Sequence, residues 1–138
     1  METYRELRER HQKEVNAFPF GAAFSEKQFE EMMGKFGLRK KDTGKICSLG
    51  AGMFCKKTDL PALKEMFERH TAEREEAMQN EKFAYEAFVA EMFNHECGYT
   101  GEFGDAISAL GLTLEHINSS SILANAFTKA RDFVFSYE

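Results

Sequence analysis

A repeat of apolar side chains at helical spacing runs through more than thirty residues in the middle of the chain, and it constrains the fold most. The residues at this spacing are apolar at both ends of the pattern and mostly polar in its middle: Leu63, Phe67, His70, Arg74, Ala77, Glu81, Tyr85, Phe88 and Met92. After Pro61, which the first turn of a helix tolerates, neither proline nor glycine occurs before Gly98, where we expect the helix to end. The pattern predicts one long helix over residues 59–96. Because its middle is polar on all sides, a break near Gln79-Asn80 is the alternative.

Two short apolar runs around a glycine-rich centre predict a β-hairpin. The runs cover residues 46–49 and 53–55, on either side of Gly50-Ala51-Gly52. With Ala51 as the midpoint of the turn, Cys47 should face Cys55. The apolar and aromatic segment at residues 18–24 is a candidate third strand.

Helical patterns account for most of the remaining chain. Residues 2–17 form a charged amphipathic helix, and Ser25 with Gln28 makes a capping box for the next helix. The last helix should run through Phe135. We therefore predict an α+β fold that is predominantly helical. A small antiparallel hairpin or three-stranded sheet packs on a long central helix and a C-terminal helical subdomain.

Length and composition indicate one globular domain over residues 1–138, with 43% hydrophobic and 30% charged residues. The first residues are charged and lack the apolar core of an export signal, and no apolar run is long enough to span a membrane. The three cysteines are an odd number, which is typical of a reducing compartment. We expect a cytoplasmic protein whose Cys47 and Cys55 remain thiols.

Charge is distributed unevenly along a chain whose formal net charge is −5. Residues 59–96 hold 10 acidic and 4 basic side chains, a net charge of −6, and residues 35–57 hold 7 basic and 1 acidic, a net charge of +6. General nucleic-acid binders are usually basic, so the total argues against direct nucleic-acid binding. The split predicts two interaction surfaces of opposite sign.

The sequence contains no recognisable catalytic motif, so we expect a non-enzymatic protein without metal or cofactor. Cys47 and Cys55 could reach one metal ion, but no C-x-x-C or H-x-x-x-H motif supplies the second pair of ligands that a structural zinc site needs. Gly50 and Gly52 resemble a fragment of a phosphate loop with lysines on both sides. A hairpin turn explains these glycines at least as well.

Six short stretches carry a family resemblance: FS at 24–25, QFE at 28–30, SLG at 48–50, MFERH at 66–70, NHECGYTG at 94–101 and ALGLT at 109–113. From residue 18 onward the chain resembles small uncharacterised proteins of phages and mobile elements in Gram-positive bacteria. That family has no agreed activity, so the resemblance implies a setting and no mechanism. Small accessory proteins in that setting often counter host defences by binding a nuclease or sequestering a signal.

We therefore predict a phage or mobile-element accessory protein that inhibits a host defence component, such as a CRISPR effector nuclease, in the cytoplasm of a bacterial host. The predicted acidic contact residues are Glu73, Glu75, Glu76 and Glu81. The predicted basic residues, for a partner or a phosphate, are Lys40, Lys41, Lys45, Lys56 and Lys57 together with Gly50 and Gly52. The alternatives are a binder that sequesters a nucleotide signal at the glycines and a regulatory or structural phage protein. A helix over residues 59–96 would outrun its own domain, which predicts a homodimer through it.

Overall fold

A computed structural model describes residues 1–137, which form eight α-helices and one small sheet. The helices are α1 (Tyr4–Ala17), α2 (Glu26–Lys35), α3 (Leu60–Ala77), α4 (Glu81–Asn94), α5 (Cys97–Thr100), α6 (Gly104–Ala109), α7 (Leu114–Asn118) and α8 (Ser121–Tyr137). The strands are β1 (Gly21–Ala22), β2 (Ile46–Gly50) and β3 (Met53–Lys56). The predicted fold class, α+β and predominantly helical, is confirmed. None of these helices combines the length and apolar character that crossing a membrane requires.

The chain packs as two compact units. The sheet unit is Lys13–His70, and the helical unit consists of residues 1–12 together with the chain from Thr71 onward. Each boundary falls inside a regular helix, α1 or α3. This division could not be predicted from the sequence, because neither boundary coincides with a loop or a change of composition.

The sheet unit is built around the predicted hairpin. Its strands pair antiparallel in the order β1-β3-β2, and Cys47 lies opposite Cys55. Both the predicted register and the third strand are confirmed. Gly50, Ala51 and Gly52 make the turn with φ angles of 88°, 53° and 77°. Glycine adopts this left-handed backbone without steric cost, which explains two of the three turn residues.

Two small apolar clusters stabilise the sheet unit. Met32 and Met33 of α2 pack with Ile46 in one cluster, and the other contains Cys55 with Leu63 and Met66 of α3. Helix α2 begins as predicted, since the Ser25 side chain accepts a hydrogen bond from the backbone N–H of Gln28. The hairpin is thereby held between α2 and the first half of α3.

The long apolar repeat does not form one helix. Helix α3 ends at Ala77 and α4 begins at Glu81, so the predicted single helix is wrong and the alternative break near Gln79-Asn80 is correct. The Asn80 side chain accepts a hydrogen bond of 3.0 Å from the backbone N–H of Phe83 and caps α4. Met78, in the connection, is only 4% exposed and packs in the core of the helical unit.

This break removes the physical argument for a homodimer through residues 59–96. The argument required a helix of about 57 Å, whose polar middle would need a second copy for support. The two helices instead have 18 and 14 residues. Met78, between the two helices, is buried within its own chain.

Helix α4 is the central element of the helical unit and packs along α8. Its buried residues are Phe83, Ala84, Ala87, Phe88, Glu91 and Met92. The Phe88 ring is fully buried and meets Phe127 of α8 edge to face, with ring centroids 5.4 Å apart. Ala126 and Ala130 of α8 are also fully buried, and such small side chains let two helices approach closely.

The end of α4 differs from the prediction that Gly98 terminates the helix. Helix α4 ends at Asn94, and Gly98 lies inside the short helix α5. Between them Glu96 adopts the left-handed conformation, with a φ of 54°. Glycine or asparagine usually occupies such a position after a helix, so a glutamate there gave no signal in the sequence.

Candidate functional site

The hairpin gathers predicted basic residues at the end where its strands open. Ile46 of β2 lies opposite Lys56 of β3. Lys45 directly precedes Ile46 and Lys57 directly follows Lys56, so the three lysines share this end of the hairpin. Lys41 comes four residues before Lys45. We call these four residues, Lys41, Lys45, Lys56 and Lys57, the lysine end.

Lys40 differs from the lysine end in its contacts. Its ammonium group binds the carboxylate of Glu26 and lies 3.5 Å from Glu30 Oε1. The hydrogen bond to Glu26 raises the pKa of Lys40 above its ordinary value. By contrast, no residue of the lysine end forms an ion pair with an acidic side chain among residues 1–137. The charge of Lys40 is therefore neutralised by glutamates of α2, whereas the charges of the lysine end are available to a partner.

The glycines of the proposed phosphate loop lie away from these lysines. Four steps of extended strand separate Ile46 from Gly50, a distance of about 13 Å. The ring of Phe24 covers Gly52, where an added Cβ atom would lie 2.4 Å from Phe24 Cε1. The turn leads into β3 rather than into the helix N-terminus that a phosphate loop uses. Gly50 and Gly52 therefore serve the turn, and the fold does not assemble them with the lysines.

The predicted acidic residues do not form a continuous acidic surface. Both carboxylate oxygens of Glu73 accept hydrogen bonds from Arg10 Nη1, at 3.1 and 3.0 Å. Glu81 Oε2 lies 3.8 Å from the ammonium group of Lys129. The remaining two, exposed on α3, are Glu75 and Glu76. With the helix broken and two of these four carboxylates in ion pairs, the acidic residues give weaker support for a partner contact than the lysine end does.

A buried carboxylate that the sequence analysis missed joins α1 to α4. Glu91 is 5% exposed, and its Oε1 accepts hydrogen bonds from the Tyr4 hydroxyl at 2.6 Å and the Arg8 guanidinium at 3.2 Å. His95 Nε2 lies 3.6 Å from the other carboxylate oxygen. Burial, followed by the bond to Glu91, raises the pKa of the Tyr4 phenol far above its ordinary value. Tyr4 therefore stays protonated and donates at neutral pH.

This cluster is suited to holding helices together rather than to proton transfer. A general base needs a carboxylate oxygen within hydrogen-bond reach of a substrate. The oxygens of Glu91 face Tyr4, Arg8 and His95, and almost none of the side chain is exposed. The only sequence signal was a glutamate within the apolar face of a helix, three residues after Phe88.

The cysteines differ strongly in accessibility. Cys55 and Cys97 are fully buried, and burial raises the pKa of both thiols. Cys47, opposite Cys55 in the hairpin, is partly exposed. Over the described chain, no three histidine, cysteine, aspartate or glutamate side chains converge as ligands for a metal ion.

We expect Cys47 to react with iodoacetamide at pH 8 well before Cys55 or Cys97. The thiolate is the reactive form, so a raised pKa and burial both slow the other two. Peptide mass spectrometry over time would measure the three rates, and urea-unfolded protein, in which they should converge, is the control. Equal rates in the folded protein would contradict this expectation. A Cys47–Cys55 disulfide recovered from freshly lysed cells would contradict the separate expectation that both residues remain thiols.

A comparison with known protein families finds a match over most of the chain. The model of DUF7659, a family of unknown function, matches residues 3–132. The match includes residues of both units and of every helix and strand described above. No curated protein and no solved structure matches the chain.

Proposed function

Since this chain belongs to DUF7659, whose function is unknown, we propose a function from its own surfaces. It is a non-enzymatic accessory protein of a phage or mobile element, and it inhibits a host defence component such as a CRISPR effector nuclease. The genetic setting rests on the six stretches that resemble phage and mobile-element proteins. The mode of action rests on the lysine end of the hairpin.

The lysine end supports binding to an acidic partner. None of its four lysines forms an ion pair within residues 1–137. A partner that brings negative charge is attracted to these lysines from a distance. The net charge of −5 disfavours free nucleic acid as that partner. An acidic protein surface, or a nucleoprotein complex held mainly by its protein, fits better.

The chemistry of the buried groups supports binding over catalysis. Glu91, the one acidic side chain buried among residues 1–137, is engaged by Tyr4 and Arg8. The burial of Cys55 and Cys97 keeps both thiols protonated at neutral pH. A second copy of this chain is not the proposed partner, because the long helix that argued for a dimer is broken at Asn80.

Reversing the charge of the lysine end should abolish inhibition. The variant replaces Lys41, Lys45, Lys56 and Lys57 with glutamate. Four lost contacts of about 0.5 kcal/mol each would weaken binding about 30-fold, and repulsion would weaken it further. Phage plating efficiency on cells that carry a CRISPR system would measure this. Wild-type protein should restore plaques, and the variant should not.

A matched variant separates the position of the charges from their number. It replaces four exposed lysines outside the lysine end with glutamate: Lys13, Lys27, Lys35 and Lys82. This control changes the net charge equally and should leave plating at the wild-type level. If both variants fail alike, total charge matters and the lysine end does not. If the lysine-end variant inhibits like wild type, the proposed contact is wrong.

Purification of the tagged chain from host cells identifies the partner class. A nuclease or nucleoprotein complex that is lost with the lysine-end variant supports the proposal. A co-purified nucleotide would overturn it in favour of signal sequestration. Recovery of neither would favour a regulatory or structural phage protein.

A further inference from the structure

A cavity of about 440 Å³ in the helical unit contains a cationic side chain. Its apolar lining consists of Met78, Leu110, Leu112, Ile122 and Leu123. Arg74 of α3 contributes the positive charge, and its neighbour Glu75 is exposed at the cavity. An apolar cavity of this volume with a few polar groups is the usual form of a small-molecule site.

Arg74 differs from every other arginine of the described chain. The other six each form an ion pair with a carboxylate: Arg5, Arg8, Arg10, Arg39, Arg69 and Arg131. Arg74 forms no ion pair, and its buried Nε atom has no hydrogen-bond partner within residues 1–137. Buried charged donors are normally paired, because leaving them unpaired costs their lost hydration. The described chain therefore provides no anion for the Arg74 guanidinium.

The turn after α6 makes room for this guanidinium. Gly111 has a φ of 71°, and a Cβ atom there would lie 2.8 Å from Arg74 Nη2. The adjacent residues, Leu110 and Leu112, both line the cavity. The carboxyl end of α6 carries a partial negative charge that stabilises the cation in part. The one carboxylate of α6, Asp105, lies in its first turn, at the other end of the helix.

We propose that this cavity binds a small amphipathic monocarboxylate. The carboxylate accepts parallel hydrogen bonds from the Arg74 guanidinium, a geometry that arginine favours. The aliphatic chain lies against Leu112 and Ile122, since no aromatic ring lines the cavity. Glu75 repels anions, which favours a ligand of single charge over a phosphate dianion. This site is independent of the lysine end, which belongs to the sheet unit.

Calorimetric titration of the full chain with octanoate and 1-octanol tests the proposal. These probes share a chain length and differ in the head group. Octanoate should bind about 10- to 100-fold more tightly, as expected for hydrogen bonds to a charged group. Equal affinities, or no binding of octanoate at millimolar concentration, would overturn the proposal.

Substitutions then assign the preference to Arg74. Arg74→Met should reduce the affinity for octanoate to that for 1-octanol. The affinity for 1-octanol should stay within about twofold of its wild-type value. Lys82→Met removes one exposed positive charge from the same unit and should change neither. Glu75→Gln should strengthen octanoate binding. A preference for octanoate that survives Arg74→Met would show that the carboxylate lies elsewhere.

A measurement on wild-type protein keeps the proposal testable if Arg74→Met does not fold. The NMR signal of the Arg74 Nε–H group should shift on addition of octanoate and not on addition of 1-octanol. The Nε–H signals of Arg5 and Arg131, which do not line the cavity, serve as internal references. An Arg74 signal that octanoate leaves unmoved would exclude this guanidinium as the carboxylate site.

Discussion

Replacing Phe88 with alanine is expected to lower the free energy of unfolding by about 3–5 kcal/mol. The side chain is fully buried in α4 and meets Phe127 edge to face at 5.4 Å. Its removal loses the transfer energy of the ring and leaves a cavity that the packed helices fill only in part. Urea unfolding followed by circular dichroism would measure the change, with the midpoint falling and the slope unchanged.

Tyr99→Ala is the matched aromatic control for this substitution. Tyr99 is 82% exposed, so its loss should change the free energy of unfolding by no more than about 0.5 kcal/mol. Phe88→Leu should fall between the two, because leucine fills much of the same volume. Similar losses for Phe88→Ala and Tyr99→Ala would mean that α4 is not the centre of the helical core.

Replacing Glu91 with alanine is expected to cost about 2–3 kcal/mol of stability. Tyr4, which is 6% exposed, would lose the acceptor of its 2.6 Å hydrogen bond and keep a buried, unpaired hydroxyl. The Arg8 side chain is 56% exposed, so water replaces most of what that ion pair contributes. The loss should therefore come mainly from Tyr4.

A double-mutant cycle identifies the origin of this loss. Tyr4→Phe alone should cost about 1–2 kcal/mol, because it leaves Glu91 without its shortest hydrogen bond. With Tyr4→Phe already present, Glu91→Ala should cost less than it does in wild type, since the two residues act as one pair. Glu86→Ala, on the same helix, should stay within about 0.5 kcal/mol. Additive losses for Tyr4 and Glu91 would contradict the proposed coupling.

The features of the fold that were predicted correctly depend mostly on interactions between residues close together in the chain. The Ser25 cap and the glycine turn at residues 50–52 depend only on interactions between residues a few positions apart. A hairpin turn also sets the register of its strands, so the pairing of Cys47 with Cys55 followed from the position of Ala51. The lysine end could be inferred for the same reason, because Lys45 and Lys56 belong to that hairpin.

The helix break shows where local patterns stop being decisive. Residues 59–96 keep a helical spacing on both sides of Asn80, and a single helix and a broken one satisfy that spacing equally well. Asn80 can cap α4, yet asparagine also occurs within helices at modest cost. Burial of Met78 and Phe83 in one core distinguishes the two forms, and that burial depends on the rest of the chain.

The fold class, the hairpin register and the basic character of one surface could be predicted from the sequence, since they follow from patterns among neighbouring residues. Which charged side chains form ion pairs depended on how the whole chain folds. Glu91 meets Tyr4 across 87 residues of chain, and Glu73 meets Arg10 across 63. The folded chain also leaves Arg74 unpaired beside an apolar cavity. Ion pairing is a contact between distant segments, and no spacing within one segment reports which partner the folded chain brings near.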